Sequence, residues 1–257
     1  MKKEKVINVM KRYELKYHLS KSQLEYFMNS VAPYMKVDKY GLTSIASLYY
    51  DTPDFLLINR SIEKPKFKEK LRLRSYGIAS SNSPTFLEIK RKCEGIVYKR
   101  RISLKEKEAV ELISSKERND QSQISRELEA FLERYQHVEP KYLIIYDRLA
   151  YYQENSDLRI TIDMNPRYRT SDLNLHTSLE GKPLLKEGEA ILEIKVQHSI
   201  PLWLSKILSE GKIYQSSFSK VGTAHTLEMR KKNEKRIEVT NLLNEYQKEE
   251  RRYGFII

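Results

Sequence analysis

An alternating run at residues 66–76, KFKEKLRLRSY, has the side chains best suited to binding a multiply charged anion. In a β-strand, side chains two positions apart point to the same face. One face would then carry Lys68, Lys70, Arg72, Arg74 and Tyr76, and the other Phe67, Leu71 and Leu73. Arginine binds phosphate oxygens with a planar fork, and lysine binds them as a compact charge. The run therefore predicts either a phosphate-binding strand or the solvated basic face of a half-buried strand.

Two neighbouring segments repeat this pattern, which favours the phosphate-binding interpretation. TFLEIKRK places Glu88, Lys90 and Lys92 on one face, and IVYKRRISL places Lys99 and Arg101 on one face. Like charges about 6 Å apart repel by about 3 kcal/mol at an effective dielectric constant near 20. Clustering cations across adjacent strands is therefore costly, and a bound polyanion would relieve the repulsion.

A Glu-x-Lys pair recurs on three predicted strands, where it puts a carboxylate and an ammonium group on the same face. The pairs are Glu14 with Lys16, Glu88 with Lys90, and Glu193 with Lys195. Carboxylates can hold a divalent ion that bridges phosphates, while the cations neutralise phosphate oxygens. Further basic candidates are Arg148 in YDRLAYY and Arg159 in LRITID, where Asp163 shares the face of Arg159.

The net charge points to the same class of partner. The net charge is +12, from 47 basic and 35 acidic residues. Residues 64–101 hold twelve basic residues and three glutamates, so this segment has a net charge of +9 and the rest of the chain has +3. An anionic ligand is expected. Other chemistries lack their motifs: there is no Gly-rich phosphate loop, G-x-S-x-G, H-E-x-x-H, RNA-binding strand signature or zinc finger.

The single cysteine, Cys93, excludes an intramolecular disulfide and a multi-cysteine zinc site. The N-terminal residues lack the apolar core of a signal peptide, and no stretch approaches the roughly 18 apolar residues of a membrane span. We therefore expect a cytoplasmic protein without a transmembrane segment.

Hydrophobic periodicity predicts one α+β domain over residues 1–257, with a helical C-terminal segment from about residue 220. The predicted strands are 6–19, 43–51, 66–76, 85–92, 96–104, 141–152, 158–163 and 190–197. The predicted helices are one that follows Ser20, then 54–62, 105–118, 124–135, 201–208 and 220–247, the last with a break near Asn233. Residues 165–189 are expected to be irregular.

Eight short motifs in a fixed order resemble the VTC domain, the polyphosphate polymerase module of the vacuolar transporter chaperone complex. They are RYELKYHL at 12–19, SLYYDT at 47–52, KLRLRSYG at 70–77, FLEIKRK at 86–92, YDRLAYY at 146–152, LRITID at 158–163, LEIKV at 192–196 and FSKVGTA at 218–224. That domain belongs to the CYTH-like superfamily of triphosphate tunnel metalloenzymes. The resemblance implies an α+β fold, an antiparallel eight-stranded β-tunnel with helices packed outside.

The same resemblance implies a reaction and a site. The γ-phosphate of ATP would be transferred to a growing polyphosphate chain, with Mn²⁺ or Mg²⁺ as cofactor. The catalytic, phosphate-binding residues would be Lys16, Arg72, Arg74, Lys90, Arg148, Arg159 and Lys220. Glu193, with Glu14 as a second candidate, would hold the metal. ATP and polyphosphate or triphosphate are the expected partners, nucleic acid is not expected, and a membrane protein is a further candidate partner.

One departure from the superfamily bears on the activity. The superfamily begins with Glu-x-Glu-x-Lys, whereas here Arg12 takes the first position before Glu14 and Lys16. This difference favours the polymerase branch over the hydrolase branch. Two alternatives stay open: a hydrolase of inorganic or organic triphosphate that uses the same tunnel, and a non-catalytic binder of polyphosphate or nucleic acid.

Overall fold

The computed structural model describes residues 13–63, 65–94, 96–115 and 123–253. Arg12 and residues 6–12 of the first predicted strand lie outside these ranges. In chain order the elements are β1 (Tyr13–Leu19), α1 (Lys21–Val31), β2 (Lys36–Val37), β3 (Thr43–Asp51), α2 (Leu56–Glu63), β4 (Phe67–Tyr76), β5 (Thr85–Cys93), β6 (Ile96–Leu104), α3 (Glu106–Ser115), α4 (Gln123–Tyr135), β7 (Glu139–Tyr152), β8 (Arg159–Arg169), β9 (Lys182–Pro183), β10 (Ala190–Val196), α5 (Leu202–Glu210), β11 (Gln215–Ser216) and α6 (Lys220–Tyr253).

All strands of the described residues form one antiparallel sheet in the order β11-β1-β10-β8-β7-β3-β4-β5-β6, with β2 paired to β7 and β9 to β8. Eight of its strands have seven residues or more, and they correspond to the eight predicted from sequence. The other three have two residues each, so eleven strands rather than eight make the sheet. The predicted antiparallel α+β fold is confirmed.

Apolar and basic side chains alternate along β4 and so distinguish the two faces of the sheet. Leu71 and Leu73 are fully buried in a cluster that also contains Phe131 of α4 and Leu112 of α3. That cluster is the outer core, formed between the sheet and the helices α3 and α4. The intervening cations of β4 therefore point to the opposite, inner face.

The inner face is enclosed because the sheet curls. The Nζ of Lys90 on β5 lies 3.4 Å from the Oε2 of Glu14 on β1, although β5 and β1 are six strands apart in the sheet order. Only a strongly curved sheet brings side chains of such distant strands into contact. The inner side chains of β1, β4 and β5 consequently face a common interior.

Part of this interior is filled by apolar packing. Ile144 and Tyr142 of β7 pack with Ile58 of α2 and with Val221 and Ala224 of α6. The helix α2 is held in place at its start, because the buried Asp51 carboxylate accepts hydrogen bonds from the backbone N–H groups of residues 57 and 58, both at 2.8 Å. The helices α2 and α6 therefore close one side of the curved sheet.

Helix boundaries largely follow the predictions. The predicted N-cap at Ser20 is confirmed, since its hydroxyl accepts from the Gln23 N–H in a capping box. The break expected near Asn233 is wrong, because α6 continues without interruption to Tyr253. The strand β8 runs past Asp163 to Arg169, into residues expected to be irregular, and the register of its pairing with β7 shifts there. No helix among the described residues is long and apolar enough to cross a membrane.

Candidate phosphate-binding site

The first group of the site surrounds Glu88, whose side chain is 1% exposed. Its carboxylate accepts hydrogen bonds from the Nε of Arg72 at 2.7 Å and the Nε of Arg101 at 2.6 Å, and the Nζ of Lys99 lies at 2.7 Å. The Nε of Arg74 lies 3.9 Å away. Burial would raise the pKa of Glu88, but Arg72, Arg74 and Lys99 hold it far below its usual range. Four cations thus share one carboxylate.

Hydroxyl groups of β3 and β7 complete this first group. Arg74 donates to the Ser47 hydroxyl at 3.3 Å and to the Tyr146 hydroxyl at 3.2 Å, and Arg72 donates to the Tyr49 hydroxyl at 3.1 Å. These contacts follow from the register, in which Ser47 lies opposite Arg74 and Tyr49 opposite Arg72. Both guanidinium groups are thereby fixed in orientation inside the sheet.

A second group lies where β1 meets β10. The Nζ of Lys16 is 3.4 Å from Glu14 and 3.7 Å from Glu193, and Lys195 also contacts Glu193. Burial would raise the pKa of Glu193, but Lys195 and Lys16 lower it well below its ordinary value. The Lys90 contact with Glu14 joins this group to β5.

A third group centres on the fully buried Asp163 of β8. Arg148 binds this carboxylate with two hydrogen bonds of 2.6 and 2.9 Å, and the Nζ of Lys220 lies 2.5 Å from it. Burial alone would raise the pKa of Asp163, but Lys220 and Arg148 lower it to about 2. Lys220 also lies 4.5 Å from the ring centroid of Tyr146. The beginning of α6 therefore contributes directly to the interior.

The residues just before α6 contact two lysines of the interior. Lys70 donates to the Ser219 hydroxyl at 3.1 Å, and Lys16 donates to the Phe218 carbonyl at 3.4 Å. The pKa of Lys70 is lowered to about 8, chiefly by burial. Tyr49 acts to raise it, while the nearby charges of Lys90 and Lys16 lower it further. The crowding of like charges expected from the sequence is thus present at Lys70.

The structure places six of the seven predicted cations in these groups, and Arg159 is the exception. Its guanidinium donates to the carbonyls of Ser156 and Leu158 at 3.1 and 2.9 Å. Arg159 also lines a cleft of about 520 Å³ with residues 152–157 and Gln197. As the first residue of β8, it is held by the preceding turn and not by the interior carboxylates.

Several residues of the site were absent from the predicted set. Lys70, Lys99, Arg101 and Glu88 carried a signal, since each lies on the face that alternation assigns to the predicted cations. Tyr49 and Tyr146 carried none, because tyrosine is a common core residue and only the strand register shows their arginine partners.

The carboxylates Glu14 and Glu193 suit a divalent ion that also binds phosphate. The described ranges contain no group of three or more His, Cys, Asp or Glu side chains able to hold a metal by themselves. Both carboxylates contact the same ammonium group of Lys16, so both reach one point. Mg²⁺ and similar ions are often bound by one or two carboxylates, with phosphate oxygens and waters as the other ligands. The pair fits such an ion.

Tyr49 should titrate near neutral pH. Burial would raise the pKa of its hydroxyl, but Arg72, Lys70 and Arg74 outweigh burial and lower it from 10.0 to about 7. In a pH titration of tyrosinate absorbance, we expect one tyrosine of the folded protein to ionise near pH 7 and this step to be missing in Tyr49→Phe. Tyr142→Phe is the control, because burial raises the pKa of Tyr142 to about 12.

The sign of the stability change follows from linkage. A tyrosine in the unfolded chain ionises near pH 10, so between about pH 7 and 10 the unfolded state holds more protons. The contribution of Tyr49 to folding stability should therefore grow as the pH rises through this range and be lost as it falls through 7. Identical titration curves for the wild type and Tyr49→Phe would contradict the assignment.

An enclosed antiparallel sheet with inward cations and carboxylates defines a triphosphate tunnel type of fold, and two solved structures share it. A candidate adenylate cyclase from Bacillus halodurans aligns with a TM-score of 0.52 and 14% identity, over 82% of this chain and 96% of that chain. HpAC1 from Hippeastrum, a candidate adenylyl cyclase with a dominant triphosphatase activity, aligns with a TM-score of 0.52 and 16% identity, over 84% and 96%. At these identities the likeness shows the fold alone.

The family follows from the sequence match. The VTC domain model matches residues 11–250, and the chain therefore belongs to the VTC domain family. No curated protein gives a significant match to the chain.

Proposed function

We propose that the chain is a metal-dependent polyphosphate polymerase, a phosphotransferase that moves the γ-phosphate of ATP onto a growing polyphosphate chain. The observation that carries the proposal is the convergence of inward-facing cations on a few shared carboxylates, above all the four cations around the buried Glu88. This surplus of positive charge inside an enclosed sheet suits a linear chain of phosphates. Membership of the VTC family supports the same assignment.

On this proposal the protein positions the phosphates and neutralises their charge. Arg72 and Arg74 would exchange Glu88 for phosphate oxygens, with Tyr49 and Tyr146 keeping both guanidinium groups oriented. Lys16 and Lys90 would bind the neighbouring phosphates. Arg148 and Lys220 would bind phosphate beside Asp163. No protein nucleophile is needed, since the terminal phosphate of the acceptor attacks in line.

Glu193 and Glu14 would hold Mn²⁺ or Mg²⁺. The ion would neutralise phosphate oxygens and help to orient them. We keep Arg159 in the proposal as a phosphate ligand outside the three groups, because it lines a cleft and donates to the carbonyls of Ser156 and Leu158 rather than to an interior carboxylate. The cytoplasmic location and a membrane partner protein stay predictions from the sequence.

A triphosphatase is the second candidate, because a protein of the same fold, HpAC1, has a dominant triphosphatase activity. The two reactions share the site and differ in whether phosphate or water is the acceptor. A nucleic-acid binder is less well supported, since it needs an outward basic surface, whereas Arg74 is 6% exposed and Arg72 donates to the buried Glu88.

Incubating the purified chain with ATP and Mn²⁺ tests the proposal. A polymerase yields a ladder of polyphosphate with ADP, a triphosphatase yields free phosphate without polymer, and a binder yields no turnover. Polyphosphate added as a primer should shorten any lag for a polymerase. Hydrolysis without polymer, with and without the primer, would overturn the polymerase proposal in favour of the second candidate.

A further inference from the structure

The second half of α6 extends beyond the fold. Every residue from Arg230 to Leu243 is exposed, although the backbone is helical throughout and the helix continues to Tyr253. We call residues 230–243 the arm. The first residues of α6 pack in the interior, so the helix is anchored at one end. An isolated helix of this length gains little stability from propensity alone, and an amphipathic face normally packs on something.

The residues of the arm are arranged by face. Side chains separated by three or four positions lie on one side of a helix. One side carries a basic set and then an apolar set: Lys232, Lys235 and Arg236, followed by Val239, Leu242 and Leu243. The apolar set is 55–60% exposed. The opposite side is mostly polar, with Arg230, Asn233, Glu234, Thr240 and Asn241 around Ile237.

We propose that the arm is an interfacial helix that lies on the surface of an anionic membrane. The basic set would contact lipid phosphate groups, and the apolar set would enter the boundary with the acyl chains. We choose an anionic membrane as the binding partner of the arm because its charge is complementary to that of the arm. The arm holds five basic residues against Glu234 and Glu238, a net charge of +3, and three of the five form the basic set. Basic residues near a helix that lies in the interface are attracted to anionic lipids, and their long stems let the charges reach the headgroups.

The same arrangement argues against a second copy of the chain as the occupant. Two arms packed in parallel through this side would bring Lys232, Lys235 and Arg236 against their own copies. Packed in antiparallel, the arms would bury the basic set against the apolar set of the other copy. Burying unpaired charge is costly in both cases.

Binding of the purified full chain to vesicles tests the proposal. We expect binding to phosphatidylserine-rich vesicles that weakens with added salt, and little binding to phosphatidylcholine vesicles. Each basic residue near an anionic surface contributes about a fivefold factor, so neutralising the basic set by K232Q, K235Q and R236Q should lower the partition coefficient about 100-fold. Leu242→Ser should lower it about tenfold or more.

Two controls separate the arm from general charge and hydrophobicity. Ile237→Ser removes an apolar side chain that is 61% exposed, against 60% for Leu242, but on the opposite side of the helix. The triple change K36Q, K107Q and K206Q removes the same charge from side chains that are 67%, 88% and 76% exposed elsewhere. Both controls should bind vesicles like the wild type.

Each other result overturns the proposal. No binding to anionic vesicles, or equal binding to neutral ones, rejects the membrane surface as occupant. Equal losses in the arm variants and the controls reject the arm as the site. A dimer in sedimentation velocity that Leu242→Ser dissociates assigns the arm to a second copy instead. Turnover is measured in parallel, because the inference does not depend on the proposed function and the arm variants should keep the activity of the wild type in solution.

Discussion

Arg74→Ala should lose at least about a hundredfold in turnover of ATP, with little change in melting temperature. Arg74 lies among four cations that share Glu88, and its guanidinium is oriented by Ser47 and Tyr146. Its removal leaves Glu88 with three cationic partners, so no buried charge loses its compensation. Turnover would fall because a fixed donor to the transferred phosphate is lost.

Arg74→Lys tests whether the planar guanidinium is needed. It keeps the charge but cannot form two parallel hydrogen bonds, so we expect most of the activity loss to remain. Steady-state kinetics and thermal unfolding, measured on the same preparations, check both variants. A large drop in melting temperature without a specific loss of turnover would show that Arg74 is a structural ion-pair partner.

The matched control is Arg91→Ala, on the adjacent strand but on the outer face. Arg91 lies 2.5 Å from Glu69, whose side chain is fully buried beneath α4 with Arg134 and Tyr135, and 2.8 Å from Glu127. Without Arg91, Glu69 loses its closest cation and is left, among the described residues, with Arg134, whose side chain is 56% exposed, and poorly compensated buried charge destabilises a protein. We expect Arg91→Ala to lower the melting temperature and to keep turnover at temperatures where it is folded. The two arginines should therefore show opposite effects.

Glu193→Gln should weaken the apparent affinity for Mn²⁺ by about tenfold or more and reduce turnover at limiting metal. The side chain keeps its size but loses the charge that would hold the ion together with Glu14. Electron paramagnetic resonance of Mn²⁺ with a non-hydrolysable triphosphate measures binding independently of turnover. Excess Mn²⁺ should restore part of the activity.

Glu88→Gln provides the comparison for this experiment. Glu88 is surrounded by Arg72, Arg74, Lys99 and Arg101, so we do not assign it to the metal. Its Mn²⁺ affinity should stay close to that of the wild type. Equal weakening in Glu88→Gln and Glu193→Gln, or no weakening in Glu193→Gln, would contradict the assignment of the metal to Glu193.

The sequence predicted the elements well because strand and helix periods are local. The two faces of β4, β5 and β6 followed from alternation alone, whereas the inward direction of Arg72 and Arg74 was implied by the family resemblance. Motif resemblance added Lys220, which lies 57 residues from its partner Asp163. No period within a strand could have placed these two side chains together.

Other features depend on tertiary contacts that a local pattern does not contain. The convergence of Arg72 and Arg101 on Glu88 requires the register of three strands. Arg159 lies on the face that alternation assigns, yet the turn before β8 holds its guanidinium. The helix α6 continues past Asn233 because the neighbouring lysines, arginines and glutamates are good helix formers.

The pairing of four cations with Glu88 has a consequence for the energetics of ligand uptake. An incoming phosphate would replace a carboxylate that the protein itself supplies. Binding would therefore release fewer small salt ions than the binding of the same phosphate to an open basic groove, whose cations are neutralised by ions from solution. Affinity for polyphosphate should then fall less steeply with ionic strength than the number of its cationic ligands suggests. The same internal anion would compete with product for the guanidinium groups and so favour its departure.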